Sequence, residues 1–169
     1  KKKLSIKKYH NWYYEQKILG FNYRMNEIEA TLGITQLKKL NLFNKKRNII
    51  AKKYVKGFLD HNIDYQKVVV GNYSSYHLFV ILFPNTKKII LNYDKIFREF
   101  HRENISVMMH YFPVHLHPYY KKKGFKLGDY PISENISKRS FSIPIFPSLS
   151  DKTQLNVIKS TLKILKNYS

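Results

Sequence analysis

Residues Ala30, Ile34, Leu37, Leu40, Phe43, Ile50, Tyr54 and Phe58 recur at steps of three and four, with Arg47 filling the gap on the same face. That period puts them on one side of an α-helix and predicts a single amphipathic helix over 27–58. Globular helices average roughly 10–14 residues, so this one is long. A helix of that length links two lobes or packs along another subunit. Asn26 followed three residues later by Glu29 has the form of a capping box: Asn26 satisfies a free amide and Glu29 reaches back.

Around this helix the chain alternates strand and helix signals. Residues 1–19 mix Lys with Tyr9, Trp12, Tyr13 and Tyr14 without a period and are expected to be loop or extended. An apolar run over 76–83, stopped by Pro84-Asn85, predicts a strand. Ile96, Phe97 and Phe100 predict a helix over 94–103, and 105–112 reads as a second strand, giving a β-α-β arrangement. A further helix is expected over 130–141. Residues 143–147 are expected to be extended, because each proline pushes its predecessor out of the helical region. Ser150 is placed to cap a last helix bearing Leu155, Ile158, Leu162 and Leu165. The fold class is α+β.

With 169 residues the chain is one domain or a modest pair of subdomains. At 43% hydrophobic and 15% aromatic it can bury enough surface to offset its ordering entropy. It has no cysteine, which removes disulfides, thiolate metal sites and cysteine nucleophiles. The formal net charge is +20, yet Lys is spread along the whole length and Ala stands only at 30 and 51, the skew of an AT-rich coding sequence. A nucleic-acid-binding module is therefore the alternative reading, and no nucleic acid is the expectation. The longest apolar run, near 78–83, is far short of the roughly 20 residues that span a bilayer, so no membrane association and a cytoplasmic location are expected. The chain starts at Lys1 without an initiator Met, which suggests a fragment.

The densest polar and aromatic cluster runs from His110 to Tyr120. In an extended chain His115 and His117 share a face. No acidic residue or cysteine lies nearby in sequence to complete a metal site, so no metal is expected. The cluster reads either as an aromatic loop at an interface or as a substrate-contacting loop. Asn22 and Arg24 stand just before a helix N-terminus, where amides and side-chain donors favour an anion. The alternative is that Asn22 serves the turn and Arg24 is a surface charge. Walker, Gly-x-Gly-x-x-Gly, His-Glu-x-x-His and Gly-x-Ser-x-Gly motifs are absent.

Three ordered stretches carry a resemblance. Gly20-Phe21-Asn22-Tyr23-Arg24-Met25-Asn26-Glu27-Ile28-Glu29-Ala30, continuing to Gly33 and Gln36-Leu37, is the first. His110 to Tyr120, with Gly124-Phe125 and Gly128-Asp129-Tyr130-Pro131, is the second. Ser142-Ile143-Pro144-Ile145-Phe146-Pro147-Ser148-Leu149-Ser150 is the third. From about residue 12 onward the chain resembles the DegT/DnrJ/EryC1/StrS sugar aminotransferases, most of all the branch making UDP-4-amino-4,6-dideoxy-N-acetyl-β-L-altrosamine in pseudaminic acid synthesis.

The resemblance implies a fold type I pyridoxal phosphate enzyme, a homodimer that moves an amino group from glutamate to a UDP-linked 4-keto-6-deoxy-N-acetylhexosamine for surface or flagellar glycan precursors. Only its C-terminal portion is expected here. Residues 1–25 would be a remnant of the large domain, 26–58 the long interdomain helix and 59–169 the small α+β C-terminal domain. The family's Schiff-base lysine lies in an H-x-V-K stretch that this sequence lacks, so it is expected upstream of Lys1. No catalytic residue is then assigned, and the chain alone is expected to be inactive; an inactive remnant is the other alternative. Asn22 is implied to reach the pyridoxal phosphate of the neighbouring subunit. Arg24, Tyr111, His115 and Tyr119 are implied to contact the nucleotide-sugar substrate.

Overall fold

The computed structural model describes residues 17–21 and 23–168. Asn22 and residues 1–16 of the stretch expected to be loop or extended over 1–19 lie outside the described residues. The chain divides into two compact units, 1–36 and 37–169, with helix α1 (Glu27–Phe58) running from one into the other.

In the first unit the capping box closes in both directions. The Glu29 amide donates to Asn26 Oδ1 at 2.9 Å and the Asn26 amide to Glu29 Oε2 at 3.2 Å. This reciprocal pair sets where α1 starts, because it satisfies amides that a helix N-terminus leaves without partners. The apolar face predicted from spacing splits along its length. Ile50, Ala51, Tyr54 and Phe58 are buried, whereas Ile34, Leu37 and Leu40 are exposed. Spacing assigns residues to a face but does not say what covers it.

The second unit is built on a three-stranded antiparallel sheet in the order β1 (Asp64–Tyr65), β2 (Phe79–Leu82) and β3 (Ser140–Ile143). Phe79 faces Ile143 and Ile81 faces Phe141 in the β2–β3 register. This differs from the expected β-α-β arrangement. Residues 105–112 contribute only one bridge, Met108 to Ser142, and the strand that pairs with β2 begins in the last two residues of the segment expected to be helical to 141 and ends at Ile143, where an extended stretch was expected. Periodicity could not separate the two, because a short apolar run fits either a strand or a buried helix turn.

Helices α2 (Lys87–Leu91) and α3 (Tyr93–Arg102) follow β2. Thr86 caps α2, its Oγ1 accepting from the Ile89 amide at 3.3 Å. After a 3-10 turn at Val114–Leu116 come α4 (Pro118–Lys121), α5 (Pro131–Ser137) and, beyond β3, α6 (Asp151–Tyr168). Ser150 Oγ accepts from the Thr153 amide at 3.1 Å and starts α6.

Aromatic packing centres on Phe141. Its ring meets Phe83, Tyr93 and Phe100 at centroid distances of 5.2, 4.8 and 5.3 Å. Two tyrosine hydroxyls fix the sheet to its helices: Tyr54 donates to the Pro144 carbonyl at 2.7 Å and the half-buried Tyr93 to the Ser140 carbonyl at 2.8 Å. Burial, with Asp94 adding to it, pushes the Tyr93 phenol up to about 12, so it remains a donor across the working pH range. Gln154 Nε2 donates to the Ile50 carbonyl at 2.7 Å and ties α6 to α1. No helix among the described residues is long and apolar enough to cross a membrane.

Candidate functional site

The segment from His110 to Ser140 lines two cavities. The first, of about 550 Å³, is lined by residues that include His110, Tyr111, Tyr130, Ser133 and Ser140. The second, of about 340 Å³, is lined by Val114, His115, Tyr120, Phe125, Tyr130 and Ser133. Tyr130 and Ser133 belong to both.

Short-range chemistry places these side chains. Pro113 ends the extended stretch and the Val114–Leu116 turn follows, so His115 and His117 do not share a face. His115 is buried, while His117 is exposed and meets the Phe112 ring edge-on at 5.2 Å. Among the described residues no group of three His, Cys, Asp or Glu is placed to hold a metal ion.

His115 instead meets a carboxylate. Its Nε2 lies 2.8 Å from Glu134 Oε1, and both residues are only 7% exposed. The same oxygen accepts from the Gly128 amide at 2.8 Å and, more weakly, from the Tyr130 amide at 3.5 Å. Burial pushes the Glu134 carboxyl up, but the hydrogen bonds from His115, Gly128 and Tyr130 outweigh it and hold it below the usual carboxylate range. An ionised carboxylate only accepts, so His115 Nε2 carries the proton and Nδ1 is left outside the pair. The Tyr130 ring packs on the imidazole at 4.8 Å.

Glu134 is the residue that sequence reasoning missed. It stands 19 residues beyond His115 and reaches it because α5 turns back under the Lys126–Tyr130 turn. Asp129 Oδ2 accepts from the Lys126 amide at 2.9 Å, and Gly128 sits at φ +98°. That turn needs glycine for its backbone alone, because nothing lies within 4 Å of an added Cβ. Gly128→Ala is expected to destabilise the protein by about 1–2 kcal/mol, the cost of a left-handed L-residue. A chemical-denaturation midpoint equal to wild type would refute this. The far end of α5 is held by Arg139, which donates to the Phe83 carbonyl at 2.8 Å and to Asn135 Oδ1 at 2.9 Å.

The other expected site residues fall as follows. Tyr111 lines the first cavity and His115 the second, so the structure brings them to neighbouring cavities beside Tyr130. Tyr119 lines neither; it packs on Tyr120 at 5.2 Å and under Lys123 Nζ at 4.9 Å, and Tyr120 takes the place beside His115. His110, which lines the first cavity, has its Nδ1 2.7 Å from Ser142 Oγ. Arg24 belongs to the first unit and is exposed beside Met25 and Asn26. There the Glu29 amide is taken by Asn26, and Glu27 and Glu29 lie in the first turn of α1.

The profile of the DegT/DnrJ/EryC1/StrS aminotransferase family matches residues 2–162, and the chain belongs to that family. It is 34% identical over 158 residues to the spore coat polysaccharide biosynthesis protein SpsC of Bacillus subtilis, covering 92% of this chain and 41% of SpsC. It is 32% identical over 167 residues to the UDP-4-amino-4,6-dideoxy-N-acetyl-beta-L-altrosamine transaminase of Campylobacter jejuni, covering 93% and 42%. Among solved structures, the Helicobacter pylori PseC aminotransferase, involved in the biosynthesis of pseudoaminic acid, superposes with a TM-score of 0.82 at 27% identity, over 95% of this chain and 43% of that one. The chain spans about 40% of the length of the curated relatives it matches.

Two expectations are corrected by the extent of the match. The sequence motifs start the resemblance near residue 12 and describe a C-terminal portion, a small α+β C-terminal domain of a fold type I transferase behind a large-domain remnant. The family match runs through 2–162, nearly the whole chain, so the segment before α1 and α1 itself belong to the matched domain and are not appendages of a small C-terminal piece. The three motifs are the dense part of a pattern that also runs through the positions between and before them.

Proposed function

We propose that the protein acts as a pyridoxal-phosphate-dependent aminotransferase, transferring an amino group from glutamate to a UDP-linked 4-keto-6-deoxy-N-acetylhexosamine as a homodimer. The observation that carries this reading is the family match across 2–162. The activity for which the Campylobacter relative is named supports the sugar and its nucleotide. The cavities beside Tyr130 support a sugar-sized ligand, since they combine aromatic faces with histidine and serine groups that can pair with hydroxyls.

The cofactor requires an anion site. The exposed Arg24 guanidinium, two residues from Asn22, has the donor chemistry for a phosphate. When bound, pyridoxal phosphate supplies the electron sink for amino transfer. The chain's own residues would orient the ligands: Asn22 at the phosphate of the neighbouring subunit's cofactor, and Arg24, Tyr111 and His115 at the nucleotide sugar. Tyr119 would act at the rim of that site rather than inside either cavity.

The test is amino transfer by the native protein from UDP-4-amino-4,6-dideoxy-N-acetyl-β-L-altrosamine to 2-oxoglutarate, read as glutamate formed. Turnover is expected of the native protein together with any segment that precedes Lys1, where the resemblance places the Schiff-base lysine, and its absence with cofactor present would overturn the reading. Asn22→Ala is expected to weaken pyridoxal phosphate binding about tenfold, the loss of one hydrogen bond to a charged group. Fluorescence titration checks this, and an unchanged affinity would remove Asn22 from the phosphate.

A further inference from the structure

The cavities owe their shape to a contact that the family resemblance leaves without a role. Tyr130 stands between them, and its backbone and ring are both held from beneath. The ring lies on His115 at 4.8 Å, the amide approaches Glu134 Oε1 at 3.5 Å, and its carbonyl accepts from the Glu134 amide at 3.1 Å. Glu134 Oε1 is thus the meeting point of the imidazole, the Gly128 amide and the start of α5.

We infer that Glu134 is a positioning residue for the ligand in these cavities: its Oε1 locks the His115 ring and the Gly128–Tyr130 backbone together, so that Tyr130 stands as their shared wall. Three observations separate this from a stabilising contact elsewhere in the core. The pair is buried, so its geometry is not loosened by water. One oxygen serves donors from two segments, so losing it releases the His115 side and the Gly128 side at once. Both segments line the cavities, so the release changes the ligand's surroundings directly. The identity of the ligand rests on the nucleotide-sugar reading above; the lock itself does not.

The chemistry defines the variants. In Glu134→Gln the amide oxygen can still accept from His115 Nε2 and Gly128, although without the charge that strengthens such bonds. In Glu134→Ala both donors lose their acceptor. The experiment measures turnover of UDP-4-amino-4,6-dideoxy-N-acetyl-β-L-altrosamine with 2-oxoglutarate by the native protein and both variants. It also records the imidazole nitrogen spectrum of His115, assigned by its loss in His115→Asn.

Glu134→Ala is expected to raise KM for the sugar about tenfold, with kcat within about twofold, and Glu134→Gln to fall between it and wild type. The wild-type spectrum is expected to show the proton on Nε2, and Glu134→Ala to show a mixture of tautomers. An unchanged KM in Glu134→Ala, with any loss confined to the amount of folded enzyme, would make the pair structural and overturn the inference. A wild-type His115 with Nε2 unprotonated would also overturn it. If wild type shows no turnover, the functional reading fails and the His115 spectra alone decide the inference. If Glu134→Ala does not fold, the KM and spectrum of Glu134→Gln decide the inference by the same criteria.

Discussion

Phe141→Ala is expected to destabilise the protein by about 3–5 kcal/mol, the range for deleting a buried aromatic ring. Phe141 is 0% exposed and sits in the middle strand position of β3, opposite Ile81. Its ring touches Phe83 from the end of β2, Tyr93 at the start of α3 and Phe100 near its end. A cavity there cannot collapse easily. Phe83 and Phe100 are themselves fully buried, and Tyr93 is pinned by its hydrogen bond to the Ser140 carbonyl. The residual void therefore adds to the lost transfer energy. Phe141→Leu keeps most of the volume and is expected to cost about half as much. Urea midpoints of the native protein and both variants check the order. A loss under about 1.5 kcal/mol for Phe141→Ala would show that the three rings repack, and that the sheet is not fixed by this contact.

How much of this was legible in the sequence depends on the range of the interaction that decides each feature. Helix α1 was legible at both ends, because its apolar period and its Asn26–Glu29 box are local. The start of α6 was legible for the same reason, through Ser150. The strand β3 was not. Ser140–Ile143 follows α5 after only Lys138 and Arg139, with no glycine or proline between them, and pairing with β2, some 60 residues earlier, makes it a strand. Within the site, His115 was legible through the motif that contains it. Glu134 was not, because a carboxylate 19 residues from its partner leaves no spacing signal. Tyr119 and Tyr120 show the same limit. They are adjacent in a motif of aromatics, and only the turn of α4 decides which one faces the cavity.

The pH dependence of stability should carry the signature of Glu134. Its carboxyl titrates below the usual range in the folded protein, because burial is outweighed by its hydrogen-bond donors. In the unfolded chain it returns to about 4.3. Between the two values the unfolded state binds more protons, so stability falls as pH falls. The contribution is complete above the unfolded value and is lost as pH drops through the folded one. Glu103, held low by hydrogen bonds from Lys163 and Ser160, contributes in the same direction, so the bare acid limb does not isolate Glu134. The difference between wild type and Glu134→Gln does. Glutamine keeps an acceptor at the same place and cannot titrate. The stability advantage of wild type over the variant is expected to hold steady from pH 7 to about 5 and to shrink below about pH 4. Over the same interval the Gly128 amide should lose exchange protection by about tenfold or more in Glu134→Ala, since that amide has lost its acceptor. Urea midpoints across pH and hydrogen exchange at Gly128 read the two arms. An advantage that does not change with pH would mean that Glu134 is not held ionised by its neighbours. The proton on His115 Nε2 would then no longer follow from the pair, and neither would the fixed wall that Tyr130 makes between the cavities.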